Sequence, residues 1–155
     1  MYFVSACLMG KNCRYNGKTK PCKEVIDFLN NKDYVLICPE QAGKLEIPRL
    51  PCEIQGGTGK EVLEGIAQVK DEKDTNRTKN FVDGAMISFA KVEKYSNGKE
   101  NDLIILKENS PSCGVKNVYD GTFSKNKLEG KGVFAELCTM KGYKIISEEE
   151  IGLIK

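Results

Sequence analysis

Four short apolar runs, rich in β-branched and aromatic residues, punctuate the chain at Tyr2 to Cys7, Asp33 to Cys38, Asp102 to Leu106 and Tyr143 to Ile146. Each has the length of a strand buried on both faces. Between them lie segments of helical periodicity. Pro21 opens one, with Val25, Ile26, Phe28 and Leu29 on a common face. Residues 75–96 form a second, with Phe81, Ala85, Met86, Phe89 and Val92 aligned, and residues 133–141 a third, closed by Gly142. Ser147 and Glu150 have capping-box spacing and predict a short final helix. Strands alternating with helices predict a parallel sheet covered on its faces. The expected fold is α/β: a single Rossmann-like three-layer domain over residues 1–155, with a mainly parallel sheet of about four strands. Residues 39–59 hold three prolines and four glycines and read as a long loop, as do residues 109–131. Residues 61–71 fit either a short helix or a strand pair.

At 155 residues, 40% hydrophobic and 30% charged, the chain can bury a core without covalent staples. The net charge is +2, too balanced to mark a nucleic-acid duplex or a membrane surface as partner. No apolar stretch approaches a membrane span, and the first residues lack the pattern of a signal peptide. A cytoplasmic protein with reduced thiols is expected.

There is no histidine, and there are seven cysteines. The first count removes Ser-His-Asp and Cys-His nucleophiles and His-ligated metals. Acid–base work falls to Glu, Asp, Lys, Tyr, Cys or water. In a reducing compartment the second count points to metal binding or catalysis before disulfides. Cys7 and Cys38 end the first two apolar runs, and Cys113 follows the third within Ser110-Pro111-Ser112-Cys113-Gly114. In a parallel sheet those positions share the carboxyl edge, where open α/β folds bind ligands. The bland reading is that each thiol fills core. Structural zinc on three thiolates without histidine would need another Cys or a carboxylate as fourth ligand, while a 4Fe–4S cluster held by only three would keep one iron open as a Lewis acid.

Of the other thiols, Cys13 and Cys52 lie in loops and could line the crevice. Cys22 falls in the first turn of a helix, where the dipole makes a thiol more acidic, and Cys138 sits at an apolar helical position. The segment Gly56-Gly57-Thr58-Gly59-Lys60 lacks the spacing of a phosphate-binding loop and reads as a turn.

The motifs Ser5-Ala6-Cys7-Leu8-Met9-Gly10, Cys13-Arg14-Tyr15-Asn16-Gly17, Cys38-Pro39-Glu40, Pro48-Arg49-Leu50-Pro51-Cys52-Glu53-Ile54, Ser110-Pro111-Ser112-Cys113-Gly114 and Tyr119-Asp120-Gly121-Thr122-Phe123 occur in this order. Together they resemble the bacterial thiouracil desulfidase family. The resemblance runs from Val4 to about Glu149. It implies an oxygen-sensitive 4Fe–4S cluster on Cys7, Cys38 and Cys113, and removal of sulfur from a small thiolated base or nucleoside, with the open iron accepting the sulfur. It implies catalytic roles for Ser110 and Glu40. Arg14, Arg49 and Ser112 are expected to bind substrate, and a sulfide acceptor is a possible partner. Two positions depart from the family pattern: Asn16 stands where Asp is usual and Lys44 where Gly is usual. A different Lewis-acid enzyme on the same cluster, such as a dehydratase, and a non-enzymatic thiol-based metal or redox sensor are the competing readings.

Overall fold

The computed structural model describes residues 1–154. Its centre is a four-stranded parallel sheet made of β1 (Tyr2–Ser5), β2 (Tyr34–Ile37), β5 (Leu103–Leu106) and β8 (Ile145–Ser147), in the order β2-β1-β5-β8. These are the four apolar runs of the sequence. β1 pairs with β2 through Tyr2 and Tyr34, and with β5 through Tyr2 and Leu103, so the three strands run level. Side chains alternate between the two faces. Phe3, Ile37, Ile104 and Leu106 join one apolar cluster, while Val4, Ile105 and Ile146 join the other. Both faces are therefore covered, as a parallel sheet requires.

Helix α1 (Lys23–Leu29) and the carboxy-terminal segment lie on one face, Val25, Leu29 and Ile151 packing onto Val4 and Ile105. The other face carries α4 (Thr78–Tyr95) and α5 (Val133–Met140), which contribute Phe81, Phe89, Phe134 and Cys138. The predicted final helix is a 3-10 helix, Glu148–Leu153, and it does open on the Ser147–Glu150 capping box.

Three expectations are corrected. β1 stops at Ser5, and Ala6–Met9 forms a 3-10 turn that ends on Gly10 at φ +92°, so Cys7 sits in that turn and not in the strand. The segment read as a loop over residues 39–59 holds α2 (Pro39–Ala42) and β3 (Cys52–Gln55). Residues 61–71 divide between both readings. α3 (Gly59–Leu63) starts on a Thr58–Glu61 capping box, and β4 (Gln68–Asp71) pairs antiparallel with β3. The loop expected over residues 109–131 also contains a small hairpin of β6 (Asn117–Tyr119) and β7 (Lys127–Glu129).

The order β2-β1-β5 places the site. From β1 the chain first winds to β2 on one side and then returns to add β5 on the other. The crevice beyond the carboxyl ends of β1 and β5 is therefore a topological switch point. Helix α2, which follows β2, is held against α4 by close backbone contact: a Cβ on Gly84 would lie 1.9 Å from the Pro39 carbonyl oxygen. Only glycine allows that approach. Asn80 adds a hydrogen bond of 2.8 Å to the Gly43 carbonyl.

Candidate iron–sulfur active site

Three segments leave the carboxyl edge of the sheet and carry the expected site residues. The 3-10 turn after β1 carries Cys7, the start of α2 carries Cys38 and Glu40, and the loop after β5 carries Ser110, Ser112 and Cys113. All seven cysteines are free thiols. Cys7 and Cys113 are buried and Cys38 is half-buried. Cys113 feels the charges of Glu40 and Cys38, which places the third loop against the second.

Cys13 belongs to the same group. Its thiol interacts with those of Cys38 and Cys7. The hydrogen bond with Cys38 favours its thiolate, but the contact with Cys7 and burial outweigh it and push Cys13 up to about 11. The bond with Cys13, then burial, pushes Cys38 up further. Burial raises Cys113, opposed by a hydrogen bond from Ser5. The raised Cys38 and Cys113 thiols favour their protonated forms, and metal loading must release those protons.

The donor set fits an iron–sulfur cluster: soft sulfur donors from three separate loops, in a chain without imidazole. No group of three or more Cys, Asp or Glu among the described residues is drawn close enough to hold a single ion.

A chain of polar contacts adjoins the thiols. Ser110 Oγ accepts the backbone N–H groups of Ser112 and Cys113, each at 3.1 Å, and donates to Glu40 Oε2 at 3.3 Å. With its acceptor side taken up by two N–H groups, its proton is directed to the carboxylate. Glu40 Oε1 accepts from Arg49 Nη2 at 2.8 Å. Two clefts open here. One, of about 580 Å³, is bordered by Cys13, Cys38, Lys11, Gln41 and Lys91. The other, of about 340 Å³, is bordered by Arg49, Cys52, Asp71 and Arg77.

Arg14 stacks over the ring of Tyr15, with 5.8 Å from its guanidinium carbon to the ring centroid, and borders neither cleft. Ser112 is 1% exposed with an unpartnered Oγ, and it too lies off both clefts. Its main-chain oxygen instead accepts Phe134 N and Ala135 N at the start of α5, which latches the Cys113 loop to that helix. Cys138 is core, as expected. Cys22 precedes α1, and burial raises its thiol, contrary to the acidic shift expected from the helix dipole. The Glu24 carboxylate, which accepts from Cys22 Sγ at 3.4 Å, adds to the effect of burial.

Glu108 went unseen in the sequence. Its side chain is buried, and Oε1 accepts four backbone N–H groups, those of Val115 (2.8 Å), Lys116 (3.0 Å), Asn117 (3.2 Å) and Asn109 (3.3 Å). It folds the loop that carries Ser110 and Cys113. Glu53 does the same for the Tyr119–Phe123 segment, accepting Gly121 N at 2.9 Å and Phe123 N at 3.1 Å. The two departures from the family pattern are accommodated locally. Asn16 Oδ1 accepts Lys18 N at 3.0 Å, a turn that Asp makes equally well. Lys44 has φ +66°, the conformation for which Gly is the usual residue.

The family model described as 2-thiouracil desulfurase matches residues 3–150. The chain belongs to the 2-thiouracil desulfurase family. An uncharacterised protein of Bacillus subtilis (strain 168), YbbK, is 42% identical over 151 residues, 97% of each chain. A solved structure described as the 4Fe-4S-dependent thiouracil desulfidase TudS superposes with a TM-score of 0.82 at 31% identity. That match covers 98% of this chain and 93% of the other. The desulfurase match thus spans the whole sheet, its helices and all three thiol-bearing loops.

Proposed function

We propose that the protein removes sulfur from a small thiolated pyrimidine by hydrolysis, C=S plus water giving C=O plus hydrogen sulfide, on a 4Fe–4S cluster held by Cys7, Cys38 and Cys113. The observation that carries this reading is that the Ser110–Glu40 hydrogen bond lies on the same loops as two of those thiols. When bound, the cluster supplies a Lewis-acidic iron without a protein thiolate, to which the substrate's sulfur can go. The protein's own residues do the rest. Glu40, with a side chain 18% exposed, is reachable by water and accepts its proton. Ser110, whose proton is aimed at Glu40 Oε2, relays protons between the carboxylate and the base. Net oxidation state does not change, so neither a reductant nor an oxidant is needed.

A cytoplasmic setting is part of this proposal. It is supported by the free thiols, and no helix among the described residues is long and apolar enough to cross a membrane. Thiolated bases and their nucleosides are the substrate class; the sulfide leaves freely or passes to an acceptor.

Ser110→Ala and Glu40→Gln, each reconstituted anaerobically with iron and sulfide, test the assignment. Both should retain iron and visible absorbance and lose about 10²–10⁴ in kcat on 2-thiouracil, the range for a lost acid–base group. A variant with a full cluster and wild-type turnover takes that residue out of the mechanism.

A further inference from the structure

A carboxylate at the end of a Glu side chain turns about several bonds. Glu40 projects from a helix of four residues, with part of its surface open to solvent. Such a group samples several rotamers unless something selects one. Two contacts select one here, the Ser110 hydroxyl at 3.3 Å and, shorter, the Arg49 guanidinium. Arg49 Nη2 meets Glu40 Oε1 at 2.8 Å and the Cys13 carbonyl at 3.3 Å, while Nη1 meets the Glu46 carbonyl at 2.7 Å. The Arg49 backbone N–H is tied to the Tyr15 carbonyl at 2.6 Å. The side chain is only 7% exposed. Arg49 therefore pins three segments together: the Cys13 loop, the start of α2, and its own loop.

The sequence suggested substrate binding for Arg49. In the structure three of its five N–H donors are committed within the protein. Both terminal nitrogens already serve Glu40 and two carbonyls, and Nε is buried without a partner. We propose that Arg49 is a positioning residue for the desulfuration: it holds the Glu40 carboxylate so that one oxygen faces Ser110, and it does not bind substrate. The inference rests on the reading of Glu40 and Ser110 given above. The geometry explains why Arg stands here. Guanidinium stays charged at any working pH, and its planar fork serves a carboxylate and flanking carbonyls together. Lysine, a point charge on a flexible stem, can restore the charge but not the shared geometry.

The test uses Arg49→Met, Arg49→Lys, Glu40→Gln and the double variant Arg49→Met/Glu40→Gln. Each is reconstituted anaerobically and assayed for iron content and for sulfide release from 2-thiouracil; each is also melted without metal. Iron content should be unchanged, because no ligand is altered. Misplacing a reacting group by about 1 Å can cost about 10²-fold, so Arg49→Met should lose about that factor in kcat. Its KM should stay within about twofold, since uniform binding is not touched. Arg49→Lys should recover only part of the loss. The double variant should be no slower than Glu40→Gln. In the metal-free melts the two single losses should be non-additive, as for residues in contact. A raised KM with kcat intact would overturn the proposal in favour of substrate binding. Additive losses in both kcat and melting temperature would overturn it as well. If wild-type protein carries a full cluster and releases no sulfide, the desulfuration reading fails instead, and Arg49 cannot then be its positioning residue.

Discussion

Glu108 has no thiol neighbour, yet the Cys113 loop depends on it. The perturbation is Glu108→Ala. The lost carboxylate oxygen accepts four backbone N–H groups, two of them at 2.8 and 3.0 Å and two longer, from a side chain that is 3% exposed. A hydrogen bond to a charged acceptor contributes about 1.5–3 kcal/mol net, so the two short bonds alone amount to about 3–6 kcal/mol. Water entering the vacated space recovers some of this, so the expected loss is about 3–5 kcal/mol, a large share of a typical stability of about 5–15 kcal/mol. Glu108→Gln keeps one acceptor oxygen and sets an amide where Oε2 has no partner, so it should cost about 1–3 kcal/mol. The assay is urea unfolding of the metal-free protein together with hydrogen exchange at Val115, Lys116 and Asn117. The Ala variant should lose protection first at those three amides. A loss under about 1 kcal/mol with protection unchanged would refute the claim that one carboxylate organises the loop.

Two further outcomes follow from the packing and the charges. Gly84→Ala puts a methyl 1.9 Å from the Pro39 carbonyl and 2.9 Å from the Gly43 nitrogen, so α2 must move off α4; the expected cost is about 1–3 kcal/mol or more by urea unfolding, with a fall in turnover because Cys38 and Glu40 move too. Asp71 is buried, which alone would raise its carboxyl, but the N–H groups of Thr75 and Lys73 and the Arg77 guanidinium outweigh burial and hold it below its ordinary 3.8. Its contribution to stability is then fully present above 3.8 and is lost as pH falls through the lowered value; Asp71→Asn should be less stable at neutral pH and show a flatter acid limb in melts against pH.

The central sheet was legible because its strands are buried on both faces and read as continuous apolar runs. The same logic made β3, β4, β6 and β7 hard to see. β7 is exposed at every residue, and β3 lies among prolines and glycines that read as loop. Both exist through pairing with a partner strand, β4 for β3 and β6 for β7, which apolar composition does not record. The site divides along similar lines. Cys7, Cys38, Cys113, Glu40 and Ser110 could be selected because strand ends and motifs mark them. The role of Arg49 could not, since it depends on Glu40, Cys13 and Glu46 meeting in space. Glu108 escaped for the same reason: its side-chain partners are backbone N–H groups, and any sequence supplies those.

The most direct test of the account is anaerobic reconstitution of the wild type and of Cys7→Ser, Cys38→Ser, Cys113→Ser and Cys13→Ser with iron and sulfide. Iron content, visible absorbance, and sulfide and uracil released from 2-thiouracil are read together. The wild type should bind a cluster and release sulfide and uracil in equal amounts. Each of the first three variants should lose both cluster and turnover, while Cys13→Ser keeps both. Full iron content and colour in Cys113→Ser, or loss of the cluster in Cys13→Ser, would contradict a cluster held by three cysteines with one iron free for the substrate's sulfur.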